Sequence, residues 1–172
     1  MTKPAAGRSR DREISVSRSR DAGDLDENVV RLLWLGFRIA ERRLLRLAAE
    51  EGFDDIRLPH FPILRGINEG FVRMTEIASS TGITKQTAGA LGRELEVLGY
   101  IGRHPDPQDG RAKIVRFTSR GRAFMRSLPA MLRQTEGDLS DIVGPEDLAR
   151  LASALRTIIG SGSEEARTPP GA

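Results

Sequence analysis

The chain has 172 residues, 38% of them hydrophobic, with no cysteine, two histidines and a net charge of +3. That length holds one domain with at most a small subdomain, and the apolar share supports a modest core that a partner subunit would help to complete. The lack of cysteine excludes disulfides, thiolate chemistry and iron–sulfur or zinc–cysteine sites; His60 and His104 are too far apart for a histidine-rich metal site, so no cofactor is expected.

Residues 1–24 are rich in Arg, Ser and Asp, bury too little to offset ordering entropy, and read as a disordered basic tail. They contain no apolar signal core. The most apolar run, Val29 to Phe37, is broken by Arg31 and falls well short of the roughly 20 residues that span a bilayer. The expectation is a cytoplasmic protein with no membrane partner.

A long helix is predicted from Leu25 to Glu51, within an N-terminal element spanning 25–56. It carries two apolar stripes, one of Val29, Leu32, Gly36 and Ile39, the other of Val30, Leu33, Phe37, Ala40, Leu44 and Leu47. A surface helix of a monomer shows one stripe, so cover on a second side, most economically by a second subunit, is expected. A short helix follows over His60 to Asn68.

Residues 57–118 form the next predicted unit. Thr75 to Leu98 reads as helix-turn-helix, with Ile77 and Ala78 inward, Gly82 at the tight turn and Thr84 capping a second helix from Lys85 to Leu98. Ala88, Leu91, Leu95 and Leu98 make its buried stripe. Lys85, Gln86 and Thr87 then occupy the exposed first turn, where a recognition helix meets base edges and phosphates. Gln reads adenine with two hydrogen bonds, Thr bonds a base or touches a thymine methyl, and Lys pairs with phosphate or guanine. A hairpin comes next: Tyr100 to His104, a turn over Pro105 to Gly110, and Arg111 to Thr118.

A helix is predicted after Thr118, bending at Pro129 and reaching about Ile142. Pro145, with Glu146 and Asp147 behind it, starts a last helix whose seam is Leu148, Leu151, Leu155 and Ile158. Residues 119–160 thus make a C-terminal pair of dimerisation helices, and 161–172 a second disordered tail. The fold class is mainly α with a small β-wing: a winged helix-turn-helix plus terminal dimerisation helices.

Charge is concentrated where that reading needs it. Lys85 to Arg126 holds nine basic against four acidic side chains, a local +5 that leaves the remainder at −2. Arg111 and Lys113 flank the hairpin tip, positioned for the phosphate backbone or a narrow minor groove, and Asp109 lies two residues before Arg111, close enough to pair with it.

The run Asp106-Pro107-Gln108-Asp109-Gly110-Arg111-Ala112-Lys113, followed by Phe117-Thr118-Ser119-Arg120-Gly121, resembles the wing of the MarR family of bacterial winged-helix regulators. Thr75 to Leu98 is similar to that family's helix-turn-helix at matching spacing, and the likeness extends over residues about 25–160. The resemblance implies a homodimer with interlocked terminal helices that reads a pseudo-palindromic operator in double-stranded DNA. It implies that Asp109 and Arg111 are the wing pair. It also implies a repressor released by a small ligand, often an aromatic acid, bound between the dimerisation helices and the DNA-binding lobe. The DNA-binding set is therefore Thr84, Lys85, Gln86, Thr87, Asp109, Arg111 and Lys113.

Two departures stand out. Gly89 and Ala90 replace polar or basic residues usual in the family's recognition helix, and Gly89 and Gly92 each cost about 1 kcal/mol of helix propensity relative to alanine. Gly110 stands where a basic residue is common. An enzyme is not expected, since the chain has no glycine-rich nucleotide fingerprint and neither histidine has a visible nucleophile partner. The competing reading is a winged helix that binds protein rather than specific DNA.

Overall fold

A computed structural model describes residues 28–107 and 112–165, with side chains up to Ser161. The N-terminal tail, Asp109 and Arg111 lie outside the described residues. The chain divides into two units, one ending at Phe37 and one beginning at Arg38.

Helix α1 (Val29–Glu50) starts at Asn28, whose Oδ1 accepts the backbone N–H groups of Val30 at 2.9 Å and Arg31 at 3.4 Å. This satisfies donors that the first turn otherwise leaves unpaired. In the first unit Leu32, Trp34 and Phe37 are exposed; in the second Leu44, Leu47 and Ala48 are buried. A 3₁₀ turn (Leu58–His60) leads into α2 (Phe61–Asn68), then α3 (Met74–Thr81) and α4 (Lys85–Val97). Strands β1 (Ile101–Pro105) and β2 (Lys113–Phe117) form one antiparallel pair, with Ile101 opposite Phe117 and Pro105 opposite Lys113. Helices α5 (Ser119–Val143) and α6 (Pro145–Glu165) complete the chain.

The core of the second unit draws on every α-helix and strand up to α5: Leu44, Phe53, Ile63, Ile77, Ala88, Leu95, Tyr100, Ile101, Val115 and Phe124 belong to one buried cluster. Phe124 is met edge-on by Phe53, Tyr100 and Phe61 at centroid distances of 5.3, 5.9 and 6.0 Å, the arrangement aromatic quadrupoles prefer. Each such side chain, fully buried, contributes about 1.5–3 kcal/mol. Leu91 and Leu98 complete the predicted α4 stripe as half-buried neighbours of this core.

Two boundaries differ from the sequence reading. Tyr100 precedes the ladder rather than opening it: its N–H bonds Leu95 O at 2.9 Å and its carbonyl accepts from Thr118 at 3.0 Å, so it joins α4 to α5. Helix α5 runs through Pro129 to Val143, close to the expected end near Ile142. The last helix continues to Glu165, past the expected boundary at 160, because a formed helix gains one bond per added residue and a polar composition alone does not end it. Among the described residues no helix is long and apolar enough to cross a membrane.

Glycine has two different meanings here. At Gly121 an added Cβ would sit 2.0 Å from the Tyr100 carbonyl oxygen, so α5 lies directly against the backbone. At Gly89 an added Cβ would meet only Arg93 Nη1, at 3.6 Å. Gly121→Ala should therefore cost about 3 kcal/mol, since the main chain must move, whereas Gly89→Ala should stabilise by about 0.5–1 kcal/mol through helix propensity. Urea unfolding midpoints of the two variants check both signs.

Candidate nucleic-acid interface

The turn between α3 and α4 is built from Gly82 and Thr84. Gly82 takes φ 72°, a left-handed conformation that ends α3. Thr84 is extended and its Oγ1 accepts the Thr87 N–H at 3.1 Å. The Thr84 and Thr87 hydroxyls also bond each other at 2.8 Å. Both threonines are thus engaged in the cap, and what Thr87 most freely offers a base is its methyl group. Thr84, Lys85, Gln86 and Thr87 are all exposed.

Arg93 does not stand out in the sequence. It is exposed, two turns beyond Gln86 on the same face of α4, with Gly89 and Ala90 between them. The i, i+7 spacing from Gln86 is the signal that reveals it. Arg103, counted among the local cations, is instead paired with Glu96 of α4 at 3.1 Å.

Lys113 and Arg116 are exposed on β2. The wing they belong to is anchored at its base. Asp106, only 8% exposed, accepts from Arg73 Nη2 at 2.5 Å and Nε at 3.2 Å. The Asp106 N–H bonds Ala112 O at 3.0 Å, and the Val115 N–H bonds Val72 O at 2.8 Å, so the segment before α3 borders β2. Arg73 in turn donates its backbone N–H to Glu76 Oε2 at 3.1 Å, closing the first turn of α3. The wing and the helix-turn-helix therefore share one electrostatic joint.

Asp55 accepts from Tyr100 Oη at 2.6 Å and Arg120 Nη2 at 3.1 Å, and the guanidinium also donates to Leu98 O at 2.8 Å. Burial, reinforced by the bond to Asp55, pushes the Tyr100 hydroxyl pKa well up, so it stays a donor at all ordinary pH. A cleft of about 510 Å³ lies between α5 and α6, lined by Arg133, Glu136, Ser140, Leu148, Ala152 and Arg156. Among the described residues no group of three or more His, Asp or Glu side chains is placed to hold a metal.

A capped helix-turn-helix joined to a two-stranded basic hairpin, with helices before and after, defines a winged helix-turn-helix protein. Residues 54–112 match the MarR family. Among solved structures, the transcriptional repressor CouR, bound to a 23-mer DNA duplex, is 26% identical with a TM-score of 0.64, over 80% of this chain and 96% of that one. The regulator Tm0710 from Thermotoga maritima is 24% identical with a TM-score of 0.54 over 80% and 96%. The reduced form of MarR from E. coli shares the fold at 20% identity, with a TM-score of 0.65 over 76% and 96%. No curated protein matches the chain.

The Arg73–Asp106 joint makes a direct prediction. Asp106→Ala leaves Arg73 without its buried partner and should cost about 1–3 kcal/mol. In a cycle with Arg73→Ala the two losses should be strongly non-additive, as expected of one charge-assisted pair. Equilibrium unfolding of the four proteins measures the coupling; additive losses would show that the joint carries no energy of its own.

Proposed function

We propose that the protein is a homodimeric, sequence-specific double-stranded DNA-binding transcription regulator of the MarR type, acting in the cytoplasm on a pseudo-palindromic operator. The observation that carries the reading is the exposed face of α4, where Lys85, Gln86, Thr87 and Arg93 stand free of ion pairs among the described residues, beside the cations Lys113 and Arg116 of the wing. The likeness to CouR, solved on a DNA duplex, supports it. In this reading Gln86 and Thr87 meet base edges, while Thr84 fixes the turn that presents them. Lys85, Arg93 and Lys113 meet phosphates, and Arg111, oriented by Asp109, enters the backbone or minor groove. The homodimer accounts for the exposed apolar side chains on α1 (Leu32, Trp34, Phe37) and on α5 and α6 (Ile142, Leu151, Ile158). Repression, relieved by an amphipathic aromatic compound that binds one spacing of the two lobes better than the other, completes the proposal.

Backbone contacts raise affinity for all sequences, whereas base contacts discriminate among them. Arg111→Ala should weaken operator and scrambled duplex together and flatten the log–log salt dependence by up to about 0.9 for each phosphate it no longer neutralises. Gln86→Ala should leave scrambled-duplex binding nearly unchanged but cost about 1–3 kcal/mol of discrimination at one base pair per half-site. Titrations against both duplexes at several salt concentrations decide the assignment. Salt-independent, negligible binding by the wild type would favour the protein-binding alternative. Truncation before Pro145 should give monomer or aggregate in sedimentation, with operator binding abolished.

A further inference from the structure

His60 is fully buried, yet the reading face makes no use of it. Its Nδ1 accepts the backbone N–H of Arg57 at 3.1 Å, across the 3₁₀ turn that precedes α2. An accepting nitrogen carries no proton, so the neutral ring holds its proton on Nε2. Nε2 lies 3.3 Å from Glu94 Oε2, on α4, in a close charge–dipole approach rather than a well-formed hydrogen bond, and it has no hydrogen-bond partner among the described residues. The Arg57 guanidinium pairs with the other oxygen of the same carboxylate. The remaining charge acting on the ring is Asp55, itself engaged by Tyr100 and Arg120. One imidazole and one guanidinium from the turn thus grip a single carboxylate on the helix that presents Lys85, Gln86 and Thr87.

Resting on the DNA-binding reading above, we propose that His60 is a positioning residue for the recognition helix: its neutral Nε2–H tautomer clamps the 57–60 turn to Glu94 of α4, and protonation opens the clamp. The geometry fixes where a second proton must go. Only Nδ1 is vacant, and there an N–H would face the Arg57 N–H, donor against donor. Glu94 favours the imidazolium, but Arg57 already neutralises that carboxylate. Burial first, then the Arg57 cation, hold the His60 pKa below its ordinary 6.5, with Asp55 opposing them. A histidine with a depressed folded-state pKa stabilises its arrangement fully above the unfolded value, and that stabilisation is lost as pH falls below about 6.5. Acid therefore opens this clamp.

The test uses the full-length protein and a duplex selected from its genomic DNA. Long-range ¹H–¹⁵N correlation at pH 7.5 should show His60 protonated at Nε2 and bare at Nδ1. His60→Gln supplies an acceptor for Arg57 and a donor for Glu94 but does not titrate. It should bind the duplex within about twofold of wild type at pH 7.5, and lack the additional weakening that wild type shows at pH 5.5. His60→Leu, similar in volume, should bind several-fold more weakly at both pH values, the scale of a missing hydrogen bond. His104 and every other titrating group are common to all three proteins, so the ratio to His60→Gln isolates His60. The exchange rate of the Arg57 amide, corrected for intrinsic rate, should rise on acidification by up to about tenfold per pH unit in wild type and not in His60→Gln. If wild type binds no duplex at either pH, the DNA-binding reading fails, while tautomer and exchange still decide the clamp. An Nδ1–H tautomer, or Arg57 exchange in His60→Leu equal to wild type, overturns it.

Discussion

The structure of the second unit depends on the setting of Tyr100. Its backbone N–H closes the end of α4 on Leu95, and its carbonyl accepts from the Thr118 N–H and, at 3.2 Å, from the Thr118 hydroxyl. That hydroxyl bonds Gly99 O at 2.5 Å and caps α5 by accepting the Gly121 N–H at 3.1 Å. The ring is fully buried against Phe124 and Phe53, its face is covered by the Arg120 guanidinium at 4.6 Å, and its hydroxyl reaches Asp55. The end of the recognition helix, the start of the wing, the start of α5 and the turn after α1 are thereby fixed by one residue. A buried tyrosine keeps such a place only if its hydroxyl is satisfied, because an unpaired one costs about 1–3 kcal/mol; Asp55 meets that condition.

The same joint shows why the sum of charge over residues 85–126 overstates what is offered to a polyanion. Arg120 is committed to Asp55 and to the Leu98 and Gly52 carbonyls, Arg103 to Glu96, and Arg122 to Phe117 O at 2.7 Å. These guanidiniums hold chain ends and turns together. Among the described residues, the cations of the lobe left facing outward, Lys85, Arg93, Lys113 and Arg116, sit on α4 and β2, while Arg126 is exposed on α5 outside the lobe. A polyanion is therefore met by a narrow strip of charge, which suits a groove better than a broad electrostatic patch would.

What was legible in the sequence was mostly local. Gly82, Thr84 and the apolar spacing of α4 specify their turn, cap and buried stripe from within a few residues, and the two strands of the hairpin were legible to within a residue or two, though not their register. Contacts between distant segments were not legible. Nothing in the spacing of Asp55, Tyr100 and Arg120, or of Arg73 and Asp106, indicates that they meet, because each pair is brought together by packing of the whole core. Nor did the sequence show that the exposed Thr87 hydroxyl bonds the Thr84 hydroxyl within the cap. The roles of Asp109 and Arg111 rest on the motif alone.

These constraints explain how α4 tolerates a sequence that is poor for a helix. Gly89 and Gly92 weaken it from within, though Gly92 leaves room for the end of the Met74 side chain, whose Cε lies 2.6 Å from where an added Cβ would sit. The helix is held from outside: by Thr84 at its start, by Arg57 and His60 on Glu94, by Arg103 on Glu96, and by Tyr100 beyond its end. A helix fixed at its ends and along its inner side does not need its outer face for stability. Lys85, Gln86, Gly89, Ala90 and Arg93 lie on that face, and the two small residues at its middle leave the helix backbone open to close approach.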